Sequence, residues 1–395
     1  MNSVKLPPSR FSRVIVHQFD IHTPVPGGID TCIRGLLKYA PQEENIAVVG
    51  VSTKTESAIS IIGVWQHVNF HGRQIWFLPV ARLDPANQKR FIPHSVKLFW
   101  GLITHFYKLK KSDFWQFHRM DLAFAVGVVP KLKFSYFIHT QDGGLTGNNS
   151  DSIWRFFGRL HKAIERIVVK RARSVVVFNQ DYATSVAKWN PFTIFSPTWW
   201  DPELITNVDH THAEHRVLWV GRLEIPKDPG LALEAFSRLV EMDPFFPWSL
   251  SILGSGTLSG DLLAKISGFA PDVARRVTLH GRMRPLDVAK MMSESGLFLM
   301  TSHPGYEGFP RVLVEALASG LPSVVTTGSD TGSLIQSGLN GFVTSRNPSE
   351  IAEKLFLSRS LNRSIASESV KSLSAPQLVK KIFIHTTPLK GKVNK

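Results

Sequence analysis

Glu307 and Glu315 frame a stretch whose residue types could hold an anionic ligand: Thr301-Ser302-His303-Pro304-Gly305-Tyr306-Glu307-Gly308-Phe309-Pro310-Arg311-Val312-Leu313-Val314-Glu315, closed by Gly320-Leu321-Pro322. The apolar run 296–300 reads as a buried strand. Residues 310–319 read as a short helix, with proline at its first turn and Gly320 just past its end. Gly308, Phe309, Arg311 and Val312 bring N–H groups to that helix start, where backbone donors and the helix dipole favour negative charge; Pro310 has no N–H. One carboxylate precedes the helix and the other stands roughly a turn and a half into it, which suits two contacts on one elongated ligand. Such a ligand carries phosphates at its middle and hydroxyls at both ends. A plainer reading pairs Arg311 with Glu315, four apart, for about 0.3–0.5 kcal/mol at the surface and leaves Glu307 solvated.

Other residues could join this chemistry. Gly221-Arg222-Leu223-Glu224-Ile225-Pro226-Lys227 follows a predicted strand at 217–220. Arg222 could grip a diphosphate through its planar fork and Lys227 as a mobile point charge, although basic loop residues are commonly just solvated. Gly27-Gly28 stand before a predicted helix at 31–39, where they would let backbone approach a phosphate or sugar, or would serve an ordinary turn. His118 and His139 end predicted strands, the position at which open α/β sheets place ligand sites. His118 is read as structural. Gly254-Ser255-Gly256 with Gly260 approximates a dinucleotide fingerprint, but one residue too many precedes the third glycine and no acidic residue is clearly placed for a nicotinamide ribose. That disfavours an oxidoreductase.

The elements that must position these residues alternate. The first half reads as strands at 13–18, 45–51, 58–64, 74–79, 113–119, 134–139, 174–178 and 193–197, with helices at 31–39, 93–111, 122–129 and 182–189 and a loop plus a basic helix at 148–173 among them. A polar linker at 201–215 follows. The second half reads as strand 217–220, helix 229–242, strand 249–253, a helix, strand 276–280, helix 286–293 and strand 297–300. Repeated β–α units imply a parallel, doubly wound sheet. The domains expected are 1–205 and 206–358, with a tail at 359–395 that returns to the first domain if it follows the family named below.

With 395 residues, 43% hydrophobic and 19% charged, the chain suits two or three globular domains. Cys32 is the single cysteine, so no internal disulfide can form; it is read as a core residue of a protein in a reducing compartment. The first ten residues lack the apolar core of a signal peptide and no segment supplies the ~18 apolar residues of a membrane span, so a cytoplasmic, non-integral protein is expected. Residues 1–205 hold 25 Lys/Arg against 14 Asp/Glu, most of the net +15, which favours anionic surfaces. Between Pro93 and Lys111, Val96, Phe99, Trp100, Ile103 and Tyr107 follow helical spacing, with His94, Lys97, Lys108 and Lys111 away from them. Such a helix either lies in an anionic membrane interface, where each Lys or Arg contributes about 1 kcal/mol, or packs its apolar face on the sheet.

The Glu-x7-Glu spacing of Glu307 and Glu315 resembles the donor-binding signature of glycosyltransferase family 4, retaining nucleotide-sugar enzymes of GT-B fold. Gly221 to Lys227 is similar to that family's Gly-Arg-Leu-x3-Lys element, and Pro24 to Gly28 to its Pro-x-x-Gly-Gly loop facing the donor diphosphate. His139 resembles the family histidine beside the donor sugar, and His280-Gly281-Arg282 the segment lining the nucleotide base. At Pro197-Thr198-Trp199-Trp200-Asp201 the family usually shows Pro-Asn-Gly-Val-Asp, a departure that puts the local turn in doubt. The resemblance is weak over 14–200 and good over 217–345.

It implies an α/β protein of GT-B class, two Rossmann-like doubly wound parallel-sheet domains facing a cleft, with the donor on the second and the acceptor on the first. The reaction implied moves a sugar from a UDP- or GDP-linked donor to a hydroxyl of a glycan or lipid-linked acceptor, as in polysaccharide or lipopolysaccharide assembly. No cofactor, metal or nucleic acid is expected. The chain has no Asp-x-Asp motif, so cationic side chains and a helix start would neutralise the leaving diphosphate. His139, Glu307, Arg222 and Lys227 form the catalytic set; Gly27, Gly28, Arg222, Lys227, Arg282, Glu307, Gly308, Phe309 and Glu315 form the donor-binding set. The alternative from another class is a non-catalytic protein of the same fold whose basic half binds an anionic membrane or other polyanion.

Overall fold

The computed structural model describes residues 6–24, 28–53, 61–83, 94–109, 112–127, 132–139, 158–205 and 215–387. These divide into two compact units, one of residues up to 139 with 158–196 and 378–387, the other of residues 197–377.

The first unit is built on β1 (Arg13–Val16), β2 (Ile46–Ser52), β3 (Gln66–Phe70), β4 (Arg73–Arg82), β5 (Trp115–Phe117), β6 (Phe134–Ile138), β7 (Ser174–Val177) and β8 (Thr193–Phe195), ordered β3-β4-β2-β1-β5-β6-β7-β8. β1, β2, β6 and β7 are buried along their whole length, as parallel strands covered on both faces require. All neighbours pair in parallel except β3 with β4. The strand expected at 58–64 is corrected here: residues 61–64 form a turn, 58–60 lie outside the described residues, and the strand is β3 instead. His71 (φ 49°) and Gly72 (φ 77°) both take the left-handed conformation that a two-residue hairpin needs to match strand twist.

The stretch from 93 to 111 is the helix His94–His105 and a 3-10 turn, Phe106–Leu109; Pro93 and Lys111 lie outside the described residues. The helix packs on the sheet, as the plainer reading has it, but through Leu98 and Leu102 and not through most of the aromatic stripe. Leu98, Leu102 and Leu109 are buried, whereas Val96, Trp100, Ile103 and Tyr107 are exposed. Gly101 decides the orientation, because a Cβ there would stand 2.1 Å from Val80 O: the helix backbone rests on β4 at the glycine, and the stripe opposite faces out. Lys108 donates to the carbonyl of Gly63. Among the described residues no helix is long and apolar enough to cross a membrane.

The second unit holds β9 (Arg216–Val220), β10 (Ser249–Leu253), β11 (Val277–Gly281), β12 (Leu297–Met300), β13 (Ser323–Thr326) and β14 (Gly341–Thr344), all parallel, ordered β11-β10-β9-β12-β13-β14. Chain order reverses between β9 and β12, and in the first unit between β1 and β5. The carboxyl ends of such a strand pair are where doubly wound sheets hold ligands.

The helix Pro229–Met242 shows why the second unit forms. Asp228 caps it by accepting from Leu231 N at 3.1 Å, and Pro229 starts it with φ already set. Leu231, Ala232, Ala235, Phe236, Leu239 and Val240 recur at helical spacing and bury one face. Phe236 is fully buried, so Phe236→Ala is expected to cost about 3–5 kcal/mol in urea unfolding.

The C-terminal helix Ala375–Thr386 passes from the second unit to the first, to which its residues from Leu378 onward belong. There Phe383 lies 4.4 Å from the Arg13 guanidinium and Thr387 accepts from Arg13 Nη2 at 3.1 Å.

Candidate functional site

In the second unit the loops after β9 and β12 meet side chain to side chain. Lys227 Nζ is hydrogen-bonded to Glu307 Oε1, which also accepts from Ser302 Oγ at 2.7 Å. Arg222 donates to the hydroxyl of Tyr306, whose ring lies 5.6 Å from Lys227 Nζ. Arg222, Lys227 and Glu307, some 80 positions apart in sequence, thus share one neighbourhood at the reversal point of the sheet. Glu307 and Lys227 are largely buried, with 11% and 15% of their side chains exposed. The solvated Glu307 of the plainer sequence reading is therefore corrected: its carboxylate is enclosed because a lysine and a serine face it.

The Lys227 turn is held from behind. Thr301 Oγ1 donates toward the carbonyls of Lys227 at 3.0 Å and Asp228 at 2.7 Å, and accepts from Trp219 Nε1 at 2.9 Å. Asp228 takes a left-handed conformation (φ 46°) and its carboxylate holds Arg346. The sequence reading gave no individual role to Thr301, Ser302, Tyr306, Asp228 or Arg346. Tyr306 adjoins Glu307 in the chain and was findable; Arg346 meets Asp228 only through folding. A shallow concavity is lined by Asp228, His303 and Arg346 among others, and by none of the predicted site residues.

Gly254 and Gly256 are required by the packing of this loop. A Cβ on Gly254 (φ 147°) would stand 1.8 Å from Gly221 O, and one on Gly256 2.3 Å from Leu223 O. The glycines let the β10 loop pack on the backbone that carries Arg222. Gly254→Ala is accordingly expected to cost about 1–3 kcal/mol of stability and to weaken any ligand that Arg222 grips, measured by urea melts with and without ligand.

Glu315 lies on the helix Arg311–Ala318 with Arg311 Nη1 at 3.8 Å, and the Arg311 guanidinium lies 5.6 Å from the ring of Trp199. Burial pushes the Glu315 carboxyl up to about 7, against the pull of Arg311; Asp201 adds to the rise. The side chain still keeps 26% of its surface. The pairing expected for Arg311 and Glu315 is present, but partly buried. Trp199 and Trp200 also explain the departure at 197–201. Trp199 is buried, and Trp200 exchanges backbone bonds with Leu373 and Ala375 while its indole donates to Val370 O at 2.9 Å.

Phe309 is 9% exposed and its ring fills the space a Cβ on Gly332 would need, so its side chain serves packing. Thr331 Oγ1 donates to Gly308 O at 2.9 Å, which ties the loop to the segment after β13. Arg282 is exposed just after β11. Gly27 lies outside the described residues. Gly28 opens the helix Gly28–Tyr39, and no described atom lies within 4 Å of where its Cβ would stand, so packing does not require glycine there.

In the first unit, histidines gather at the carboxyl ends of the reversal pair and its neighbour: His17 after β1, His118 after β5, His139 after β6. His118 Nδ1 faces His139 Nε2 at 2.8 Å, and its Nε2 faces Gln116 Nε2 at 2.7 Å. Burial, then nearby positive groups, pushes His17 down to about 3 and His118 well below the usual 6.5. His118, expected to be structural, is thus the direct partner of His139. Cys32 is buried beside them, and the thiol and two ring nitrogens lie within 4.8 Å of one another, the one such metal-capable group among the described residues.

Comparisons with known proteins agree with this fold. The chain is 29% identical over 153 residues to amylovoran biosynthesis glycosyltransferase AmsK of Erwinia amylovora, a stretch covering 38% of this chain and 37% of AmsK. The chain spans about two fifths of the length of the curated relatives it matches. Anabaena HepE, crystallised with UDP and glucose, superposes with a TM-score of 0.67 at 16% identity, covering 96% of this chain and all of HepE. WaaG, a glycosyltransferase involved in lipopolysaccharide biosynthesis, gives 0.67 at 16% identity over 95% of this chain and all of WaaG. The fold is GT-B, with two parallel-sheet α/β units, and residues 214–357, which carry β9 to β14, match the family Glycosyl transferases group 1.

Proposed function

We propose that the chain is a retaining, metal-independent glycosyltransferase that moves a sugar from a UDP- or GDP-linked donor to a hydroxyl of a glycan or lipid-linked acceptor in polysaccharide or lipopolysaccharide assembly. The observation that carries the reading is the convergence of Arg222, Lys227 and Glu307 at the reversal point between β9 and β12. As the sugar–oxygen bond breaks, charge builds on the leaving phosphate. Arg222 and Lys227 supply N–H donors to it, and the backbone at Gly308 and the start of Arg311–Ala318 supplies a favourable dipole. Lys227 carries three donors, so it can keep Glu307 and meet a phosphate at once. Glu307 meets the sugar, Glu315 the ribose hydroxyls, Arg282 the base, and His139 the transferred sugar. The acceptor hydroxyl attacks on the leaving-group side, and the anomeric configuration is retained.

The test is a thermal-shift screen of UDP, GDP and ADP with their sugars, on the wild type, Arg222→Ala and Glu315→Ala. A ligand at one hundred times its Kd stabilises by about 2.7 kcal/mol, which is readily seen. A nucleotide-selective shift lost in both variants supports the reading; its absence with every donor sinks it.

A second assignment concerns the acceptor side. The exposed stripe Val96, Trp100, Ile103 and Tyr107 on a basic unit favours docking to an anionic membrane at its cytoplasmic face, which would bring a lipid-linked acceptor within reach. Co-sedimentation with phosphatidylglycerol vesicles at low salt is expected, and Trp100→Ala should weaken it severalfold. Equal binding by both proteins, or none by the wild type, removes the assignment.

A further inference from the structure

We propose that Arg13, Gln116 and His118 form a hydrogen-bond relay that sets the tautomer of His139, so that His139 meets its ligand as an N–H donor through Nδ1 and not as a base. The role of the ligand rests on the transferase reading; the relay itself does not.

The direction of each bond follows from what each group is able to do. Arg13 Nη1 lies 2.9 Å from Gln116 Oε1, and a guanidinium only donates, so the amide oxygen must face it. Burial pulls Arg13 down to about 10, which leaves it a cation at neutral pH. Its other arm donates to Thr387 Oγ1, and the Phe114 and Phe383 rings flank it at 5.3 and 4.4 Å, so the fork is fixed. With the amide oxygen turned to Arg13, the amide NH2 is what remains for His118 at 2.7 Å. His118 Nε2 must then accept, and its proton sits on Nδ1. That proton points at His139 Nε2, 2.8 Å away, which accepts in turn and leaves Nδ1 as the N–H of His139. Protonating His139 on Nε2 would require the whole series to reverse, with Gln116 NH2 and a His118 N–H then facing each other as donors. Gln116 is fully buried and His118 nearly so, which shields the pair from bulk solvent and makes two facing donors costly. A ligand that meets His139 therefore has to offer an acceptor, a sugar hydroxyl or phosphate oxygen, and does not lose a proton to the ring.

The competing use of the same atoms is a metal held by Cys32, His118 and His139. Two nitrogens on one tetrahedral ion at ~2.0 Å stand about 3.3 Å apart. The two rings are closer, at the 2.8 Å of a hydrogen bond, and Gln116 occupies the other nitrogen of His118. The relay fits without displacement, whereas the metal would have to spread the pair.

The experiment is long-range 15N–1H NMR on the full chain labelled at histidine, with His118 and His139 signals assigned through single substitutions. In the wild type both residues are expected to show Nδ1–H and an unprotonated Nε2. Gln116→Glu keeps the shape and the Arg13 contact but presents an acceptor to His118, so both rings are expected to switch to Nε2–H. Transfer by a folded Gln116→Glu should fall at least tenfold, with donor KM raised. A wild-type His139 protonated at Nε2, unchanged tautomers in Gln116→Glu, or a thiolate-to-Co2+ absorption band on adding Co2+ would each overturn the relay. A wild type that transfers no sugar counts against the transferase reading alone, because the ring signals decide the relay without turnover.

Discussion

Lys227→Met is expected to lower turnover by about 10²–10³, the usual loss when one donor aimed at a developing anion is removed. It is also expected to destabilise the second unit, because it strips the cation from a carboxylate of which 11% is exposed; breaking a buried pair in this way costs up to about 3–5 kcal/mol. The two effects separate in Lys227→Met/Glu307→Gln. The neutral amide can still accept from Ser302 and no longer needs a cation, so much of the stability should return, while turnover stays low. Urea unfolding and initial transfer rates on the three variants measure both. If the double variant turned over like the wild type, Lys227 would be a structural partner of Glu307 and the diphosphate would have to be held elsewhere.

Glu315→Gln should have an effect of similar size and opposite sign on stability. Burial raises the folded carboxyl from the usual 4.5 to about 7, so between those values the folded chain binds a proton that the unfolded chain has released. Stability from this group is full below about 4.5, falls as pH rises, and by pH 8 a penalty on the order of 2–3 kcal/mol has developed. Glu315→Gln removes that penalty: it should melt higher than the wild type at pH 8 and about equally at pH 4.5. Hydroxyl donors favour the ionised carboxylate, so nucleotide affinity of the wild type should rise with pH through about 7 and release a proton on binding. The variant should bind weakly with no such dependence. Calorimetry in buffers of different ionisation enthalpy reads the proton directly. A pH-independent stability difference between the two proteins would mean that Glu315 ionises normally and is no strained site residue.

The second unit was the more legible half, for reasons visible in single elements. The helix Pro229–Met242 and the strands Ser249–Leu253 and Leu297–Met300 have the bounds expected from the sequence, because caps, helical spacing and strands buried on both faces are local signals. The hairpin from Gln66 was not legible, since its turn depends on left-handed backbone at His71, a residue type that rarely announces one. Nor was the orientation of His94–His105. Two apolar stripes compete on that helix, and Gly101 against Val80 selects between them.

Local signals along the chain were enough for the β–α alternation, the parallel sheets, and the placing of Arg222, Lys227 and Glu307 in loops that follow strands, with Glu315 in the helix beyond. Local periodicity dictates the elements, and a doubly wound sheet delivers every post-strand loop to the same edge. Which of those side chains touch depended on packing between distant segments. Lys227 pairs with Glu307 and Arg222 with Tyr306, burial raises the Glu315 carboxyl, and His118 belongs to His139. Those outcomes come from contacts between residues distant in the chain, and from the water that packing removes around them, neither of which spacing along the sequence encodes.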